Sequence, residues 1–133
     1  MNTKIVDGVA IIKSKKVIIK DVASAVDFVM EIKYKTNCDR IALNKSAISE
    51  DFFILSSGLA GEILQKFVNY GIRFVIYGDY SIYTSKPLKD FIYESNQGKD
   101  IFFVATEDEA VEMLNKQCLL SHSSQTKKML IIK

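Results

Sequence analysis

The fold is decided by residues 52–77, which read FFILSSGLAGEILQKFVNYGIRFVIY. Apolar side chains recur at every third or fourth position from Leu59 to Val68, and this spacing predicts an amphipathic helix. Gly71 is placed to end that helix, because glycine readily adopts the left-handed conformation found just after helices. The β-branched and aromatic run 72–77 then predicts a buried strand. A strong helix followed at once by a buried strand is typical of α/β folds.

Similar signals extend in both directions along the chain. They are an Asp7-Gly8 hairpin turn, an N-cap at Asp21, a helix stop at Asn37, a strand at 40–43, N-caps at Ser85 and Thr106, and a strand at 101–104. The predicted order is β-β-α-β-α-β-α-β-α. Because strands alternate with helices, we expect a single α/β domain with a small, mixed, mostly parallel sheet flanked by helices. This domain covers residues 1–115, and residues 116–133 form a basic polar tail.

Two local features carry structural expectations of their own. Gly61 lies inside the strongest helix, where glycine costs roughly 1 kcal/mol relative to alanine, so we expect a close backbone approach there. Lysines cluster near the start of the chain and alternate with valine and isoleucine, which indicates a strand with one solvated face. These lysines are Lys13, Lys15, Lys16 and Lys20.

Composition places the chain among ordinary globular proteins. It has 133 residues, of which 48% are hydrophobic and 26% charged, enough for one domain with its own core. Its net charge of +2 is uneven, because residues 116–133 carry four lysines and no acid. The body is therefore slightly acidic, which disfavours a nucleic-acid partner. No apolar run approaches the ~18–20 residues of a membrane span, so we predict no membrane partner.

Few residues in this chain could carry catalysis. The single histidine, His122, lies in the polar tail, which disfavours a histidine-dependent triad or a multi-histidine metal site in the domain. Cys38 and Cys118 form no metal or redox motif and, without an export signal, indicate a cytoplasmic protein. We therefore predict no catalytic residue, no metal and no cofactor, and we lean against an enzyme.

The candidate site follows from the geometry of parallel sheets, in which ligands collect beyond the carboxyl ends of the strands. Those positions, with the start of the strongest helix, form two groups. The first group is a phosphoacceptor-like or anion-binding segment, and the second forms loops for a ligand or partner. The first comprises Ser56, Ser57 and Gly58, and the second Asn44, Lys45, Asp79, Tyr80, Ser81, Tyr83, Ser85 and Lys86. The simpler alternatives are that Ser56 or Ser57 caps the helix and that Lys45 and Asp79 are polar strand ends.

Three stretches resemble known families. Residues 49–79, SEDFFILSSGLAGEILQKFVNYGIRFVIYGD, resemble the centre of a STAS domain, the fold of bacterial anti-sigma-factor antagonists, and IFFVATEDEAVEML (101–114) resembles that family's last strand and acidic helix. The chain as a whole, with NYGIRFVIYGDYSIYTSKPLKDFIYESNQG (69–98), looks closer still to a family of small bacterial proteins known only as a domain of unknown function. The STAS resemblance places Ser56 at the phosphoacceptor position. Leu55 occupies the position at which that family has an acid. The second glycine of the family's motif is displaced, because Ala60 and Gly61 stand where Leu-Gly would continue.

The resemblance implies a non-catalytic, cytosolic regulatory module that binds a protein partner. The alternative is a protein that binds a small anionic ligand such as a nucleotide or phosphate, or an unrecognised enzyme, using Lys45 and Lys86 to pair the anion. We also expect that a homodimer could form if the apolar tail residues 129–132 add a strand to the sheet edge of a second copy. The alternative for this tail is disorder.

Overall fold

A computed structural model describes residues 1–115 of the chain. Its strands are β1 (Asn2–Val6), β2 (Val9–Lys13), β3 (Arg40–Asn44), β4 (Arg73–Tyr77) and β5 (Ile101–Val104). Its helices are α1 (Val22–Thr36), α2 (Leu59–Asn69), α3 (Lys86–Asn96) and α4 over 107–115. Short 3-10 helices at Lys45–Ala47, Glu50–Phe53 and Leu55–Ser57 lie between β3 and α2. The predicted order of elements is confirmed, whereas the tail and its expected strand at 129–132 lie outside the described residues.

The strands form one sheet in the order β1-β2-β3-β4-β5. β1 pairs antiparallel with β2, while β2 to β5 run parallel to one another. The predicted mixed, mostly parallel sheet is therefore confirmed. Crossovers between parallel strands are right-handed, and the strand order never reverses, so α1, α2 and α3 all cover the same face of the sheet.

The sheet separates two apolar cores. On one face, alternate strand residues such as Ile41 and Leu43 pack with buried side chains of α1 to α3. On the other face, intervening residues such as Ala42 and Val75 pack with Ala110 of α4. Burial on both faces explains why β3 and β4 are apolar along most of their length. No helix within residues 1–115 combines the length and the apolar character that crossing a membrane requires.

Side-chain caps position the helices where the sequence predicts them. Asp21 accepts a hydrogen bond from the Ser24 backbone N–H (2.8 Å), and the Asp21 N–H donates to the Ser24 hydroxyl (3.0 Å), which forms a capping box at the start of α1. The bond from the Ser24 backbone holds the pKa of Asp21 below its usual value. Asn37 ends α1 in the left-handed conformation, with φ of 59°. At the start of α3, the Ser85 hydroxyl accepts from the Leu88 N–H (3.4 Å).

Two structural expectations are wrong. A Cβ atom added to Gly61 would meet no atom within 4 Å, so no neighbouring backbone requires glycine there. The lysine cluster does not lie on one strand, because β2 ends at Lys13 and the following residues form a loop. The Ser14 hydroxyl turns the chain at this point by accepting from the Lys16 N–H (3.1 Å) and donating to the Lys16 carbonyl (2.9 Å).

Candidate functional site

Parallel pairing brings the ends of β3 and β4 to one edge of the sheet, which we call the carboxyl edge. Asn44 and Tyr77 are register partners there, so the residues after them emerge side by side. Two segments cover this edge, residues 44–58 and residues 78–86, and we call them the edge loops. They contain every residue predicted for the site. The described strand order contains no reversal, the feature that opens a ligand crevice in doubly wound sheets.

The centre of the edge loops is a cluster around Lys45, formed with Glu50, Phe53 and Tyr83. The Lys45 ammonium lies 4.8 Å from the centroid of the Tyr83 ring and 5.2 Å from that of Phe53. It also lies 3.5 Å from Glu50 Oε2, and its side chain is only 13% exposed. The Tyr83 hydroxyl donates to Glu50 Oε1 at 2.9 Å. Lys45 is therefore held by two aromatic rings and a carboxylate, a combination that stabilises a cation.

Two further contacts join the edge loops. The rings of Phe53 and Tyr83 are stacked, with centroids 5.1 Å apart and planes inclined by 19°. Gly78 passes so close to Lys45 that a Cβ added there would lie 2.7 Å from the Lys45 Cβ, and its φ is 159°. Glycine at position 78 therefore lets the turn after β4 approach the Lys45 cluster. The two loops are packed together as one surface.

Two predicted site residues are structural. Asn44 is buried, and its amide accepts from the Ser14 N–H (2.9 Å) and donates to the Ser14 carbonyl (2.8 Å) and to the Ser46 hydroxyl (2.6 Å). Tyr80 packs between Phe53 and Phe103 and donates its hydroxyl to the Ile76 carbonyl at 2.6 Å. Burial raises the pKa of Tyr80, and burial together with the bond to Glu50 raises that of Tyr83. Neither tyrosine is poised to ionise.

The remaining residues of segment 78–86 shape the chain locally. Asp79 accepts from the Ser81 N–H at 2.9 Å, and this bond lowers the pKa of Asp79. Ser85 caps α3, as described above. Lys86 forms an ion pair with Asp90 one helical turn later, at 2.8 Å, and this bond raises the pKa of Lys86. Lys86 is therefore already paired with a carboxylate at the surface.

Residues 56–58, which we call the serine segment, lead into α2, but neither serine occupies its N-cap. Gly58 is the N-cap residue and supplies no side-chain cap. The Ser57 hydroxyl instead accepts from the Leu59 N–H at 3.2 Å and donates to the Asp51 carbonyl at 3.0 Å. All three residues of the segment, Ser56 to Gly58, are exposed. Within residues 1–115, the Ser56 hydroxyl makes no hydrogen bond.

The structure thus brings together part of the predicted site. Lys45, Asp79, Tyr80 and Tyr83 surround one cluster, whereas no hydrogen bond or ion pair in the described part of the chain links the serine segment to Lys45 or Lys86. Sequence reasoning missed Glu50 and Phe53, because neither the ion pair of Glu50 nor the ring stacking of Phe53 leaves a periodic signal. No three His, Cys, Asp or Glu side chains within 1–115 are grouped to hold a metal ion.

Comparisons with known proteins find one family model and two solved structures that match the chain. A family model described as "Domain of unknown function (DUF4180)" matches residues 6–114. The crystal structure of TM1081, a proposed anti-sigma factor antagonist from Thermotoga maritima, aligns with a TM-score of 0.45 and 20% identity, covering 86% of this chain and 93% of that one. An NMR structure of TM1081 gives 0.46 and 21%, covering 86% and 87%. No curated protein matches the chain.

Proposed function

The chain belongs to the family described as domain of unknown function DUF4180, and we propose that it is a non-catalytic regulatory module that binds another protein through its edge loops. One observation carries this proposal. Each edge loop presents an exposed isoleucine next to the stacked pair of Phe53 and Tyr83. These are Ile54, which is 52% exposed, and Ile82, which is 68% exposed. Contiguous exposed apolar side chains are typical of protein contact surfaces, and the stacked rings join the two loops that carry these isoleucines.

The charges around the Lys45 cluster also favour a protein partner over a small anion. Lys45 lies against Glu50, and Lys86 lies against Asp90. Asp79 adds a further carboxylate to the same edge, so the lysines expected to bind an anion are balanced by acids. A phosphate entering here would have to displace these carboxylates, which disfavours the small-ligand alternative.

Ser56 is the residue of this surface best placed to be modified or to contact a partner. Its side chain is exposed beside Ile54, and the sequence resemblance puts it at a phosphoacceptor position. A phosphoryl group there would lie beside the first turn of α2, where the helix dipole favours negative charge. We therefore include Ser56 in the proposed contact surface. A cytosolic location is also part of the proposal. The buried thiol of Cys38, which forms no disulfide within residues 1–115, supports it.

The test compares partners captured by four forms of the full chain. Ile54→Ser and Ile82→Ser remove the exposed apolar side chains, and Tyr34→Ser is the matched control, because Tyr34 is 90% exposed on α1. We expect proteins that bind wild type and Tyr34→Ser to be lost from both isoleucine variants. Binding of the purified partner should then be weakened by Ser56→Glu but not by Ser56→Ala.

A thermal-shift screen with nucleotides and sugar phosphates tests the alternative. If the chain binds only a protein, these compounds should not change its melting temperature. If it has a small-anion site, a saturating ligand should raise the melting temperature by several degrees. A rise that Lys45→Ala abolishes would assign the edge loops to a small ligand. Identical captured partners for all four forms would also contradict the proposal.

A further inference from the structure

The two edges of the sheet are protected differently. On the outer edge of β5, the Asn96 side chain of α3 donates to the Phe103 carbonyl at 3.0 Å and accepts from the Phe103 N–H at 2.7 Å. The amide thereby occupies the main-chain groups that another strand would use. Within the described residues, β1 pairs only with β2, and its residues 2–5 are exposed. Among the residues that the structure describes, β1 is therefore the edge open to pairing.

The hairpin turn decides which groups of β1 are available. Asp7 and Gly8 form a two-residue turn, so Val6 and Val9 at its base exchange main-chain hydrogen bonds. Along an antiparallel pair, residues that bond to the partner strand alternate with residues that do not. The N–H and C=O groups of Thr3 and Ile5 therefore point away from β2. The Ile5 side chain is 54% exposed on the same strand. The outer edge of β1 thus offers two sets of main-chain groups beside an apolar side chain.

A basic cleft continues this edge beyond the start of β1. It has a volume of about 810 Å³, and its lining includes Asn2, Lys13, Lys15 and Lys16. Lys4 on β1 pairs with Glu107 at 3.0 Å, but the cleft lysines form no ion pair with any described residue. Glu107 lies near Lys13 but pairs with Lys4. The cleft therefore concentrates positive charge where a strand added to β1 would leave the sheet.

We infer that the outer edge of β1 accepts an extended acidic segment of another protein as an added strand, with its carboxylates in the lysine cleft. Main-chain pairing of this kind supplies affinity, and the charges supply specificity. A second copy of the chain would offer its own β1 strand, which carries Lys4 and no acid. The segment 116–133, with four lysines and no acid, has the wrong charge as well. A nucleic acid would not use the strand edge. This surface is distinct from the edge loops.

The test uses the full chain, labelled with ¹⁵N, and two blocked peptides of about eight residues, the length of a short strand. One peptide alternates glutamate with valine, and the other alternates lysine with valine. We expect the acidic peptide to saturate below about 1 mM, to shift the amide signals of Thr3 and Ile5 most, and to bind more weakly as salt is added. The lysine peptide should not bind.

Matched variants separate pairing from charge. Ile5→Pro removes an outward N–H from an edge strand, where proline is tolerated, and should weaken binding at least about tenfold, whereas Ile5→Val should change it less than about twofold. Lys15→Glu with Lys16→Glu should abolish binding, and Lys33→Glu with Lys89→Glu, which changes the net charge equally, should not. Circular dichroism of each variant checks folding. All of these variants leave the edge loops intact, so failure here does not depend on the proposed function.

Three outcomes would overturn the inference. They are no binding of the acidic peptide up to about 1 mM, equal binding of the lysine peptide, and binding that Ile5→Pro leaves unchanged in a folded protein. A doubling of the mass in solution that Ile5→Pro abolishes would assign the edge to a second copy instead.

Discussion

Replacing Asn44 by alanine tests whether this residue belongs to the site or to the framework. Its side chain continues the pairing of β2 and β3 past the last register pair, Ile12 with Leu43, by bonding both main-chain groups of Ser14. Asn44→Ala removes both bonds and leaves the Ser14 N–H and carbonyl without these partners. Asn44 and Ser14 are only 8% and 7% exposed, so water replaces the lost bonds poorly.

The magnitude follows from these two groups. A buried polar group left without a partner costs about 1–3 kcal/mol, so we expect Asn44→Ala to lower the free energy of unfolding by about 3 kcal/mol in total. The third bond, to the exposed Ser46 hydroxyl, adds little, and Ser46→Ala should cost less than about 1 kcal/mol. A loss of about 3 kcal/mol is a large part of the stability of an ordinary domain.

Urea denaturation followed by circular dichroism measures both variants, with an unchanged slope showing that the folded state stays compact. Hydrogen exchange of the Ser14 amide gives a local readout and should accelerate in Asn44→Ala but not in Ser46→Ala. A loss below about 1 kcal/mol with the Ser14 amide still protected would refute this reasoning. Asn44 would then be free to contact a ligand or partner, as the sequence analysis predicts.

Three further predictions concern other parts of the molecule. Gly61→Ala should stabilise the protein by about 0.5–1 kcal/mol in thermal or urea unfolding, since an added methyl meets no atom within 4 Å, whereas Gly78→Ala should destabilise it because the methyl would collide with Lys45. Asn96→Ala should expose the main-chain groups of β5, lower stability by about 1–2 kcal/mol and raise concentration-dependent association measured by light scattering. Burial raises the pKa of Tyr77 to about 12, so the unfolded chain loses this proton first and stability falls as the pH rises from about 10 to 12. Tyr77→Phe should reduce that fall in urea titrations at each pH, and the remaining fall should come from Tyr80 and Tyr83, whose pKa burial also raises.

The order of elements was predictable because its signals are local. The Asp7-Gly8 turn and the caps at Asp21 and Ser85 act within a few residues of their own positions. The apolar repeat of α2 likewise depends only on the geometry of a helix. Parallel pairing then follows, because a strand connected through a helix returns in the same direction.

The candidate site was predictable only in outline. Because parallel strands end at the same edge of a sheet, Lys45, Asp79 and Tyr83 could be placed together. The same reasoning did not distinguish a surface residue from a buried one such as Asn44, which bonds the main chain of Ser14. The prediction of a close backbone approach at Gly61 was wrong for a similar reason. Position 61 faces open space, and no local sequence pattern indicates which distant segments lie near a helix.

Local patterning therefore determined the α/β class, the element order and the edge at which the loops gather. Tertiary structure alone decided that Tyr83 and Glu50 enclose Lys45 and that Asn96 closes one sheet edge. It also decided that the lysine cluster seen in the sequence lies beside the other edge. The physical reason is the separation along the chain over which each kind of interaction acts. Turns, caps and periodicity depend on neighbours along the chain, whereas ion pairs, ring stacking and edge protection depend on which distant segments the strand order places side by side.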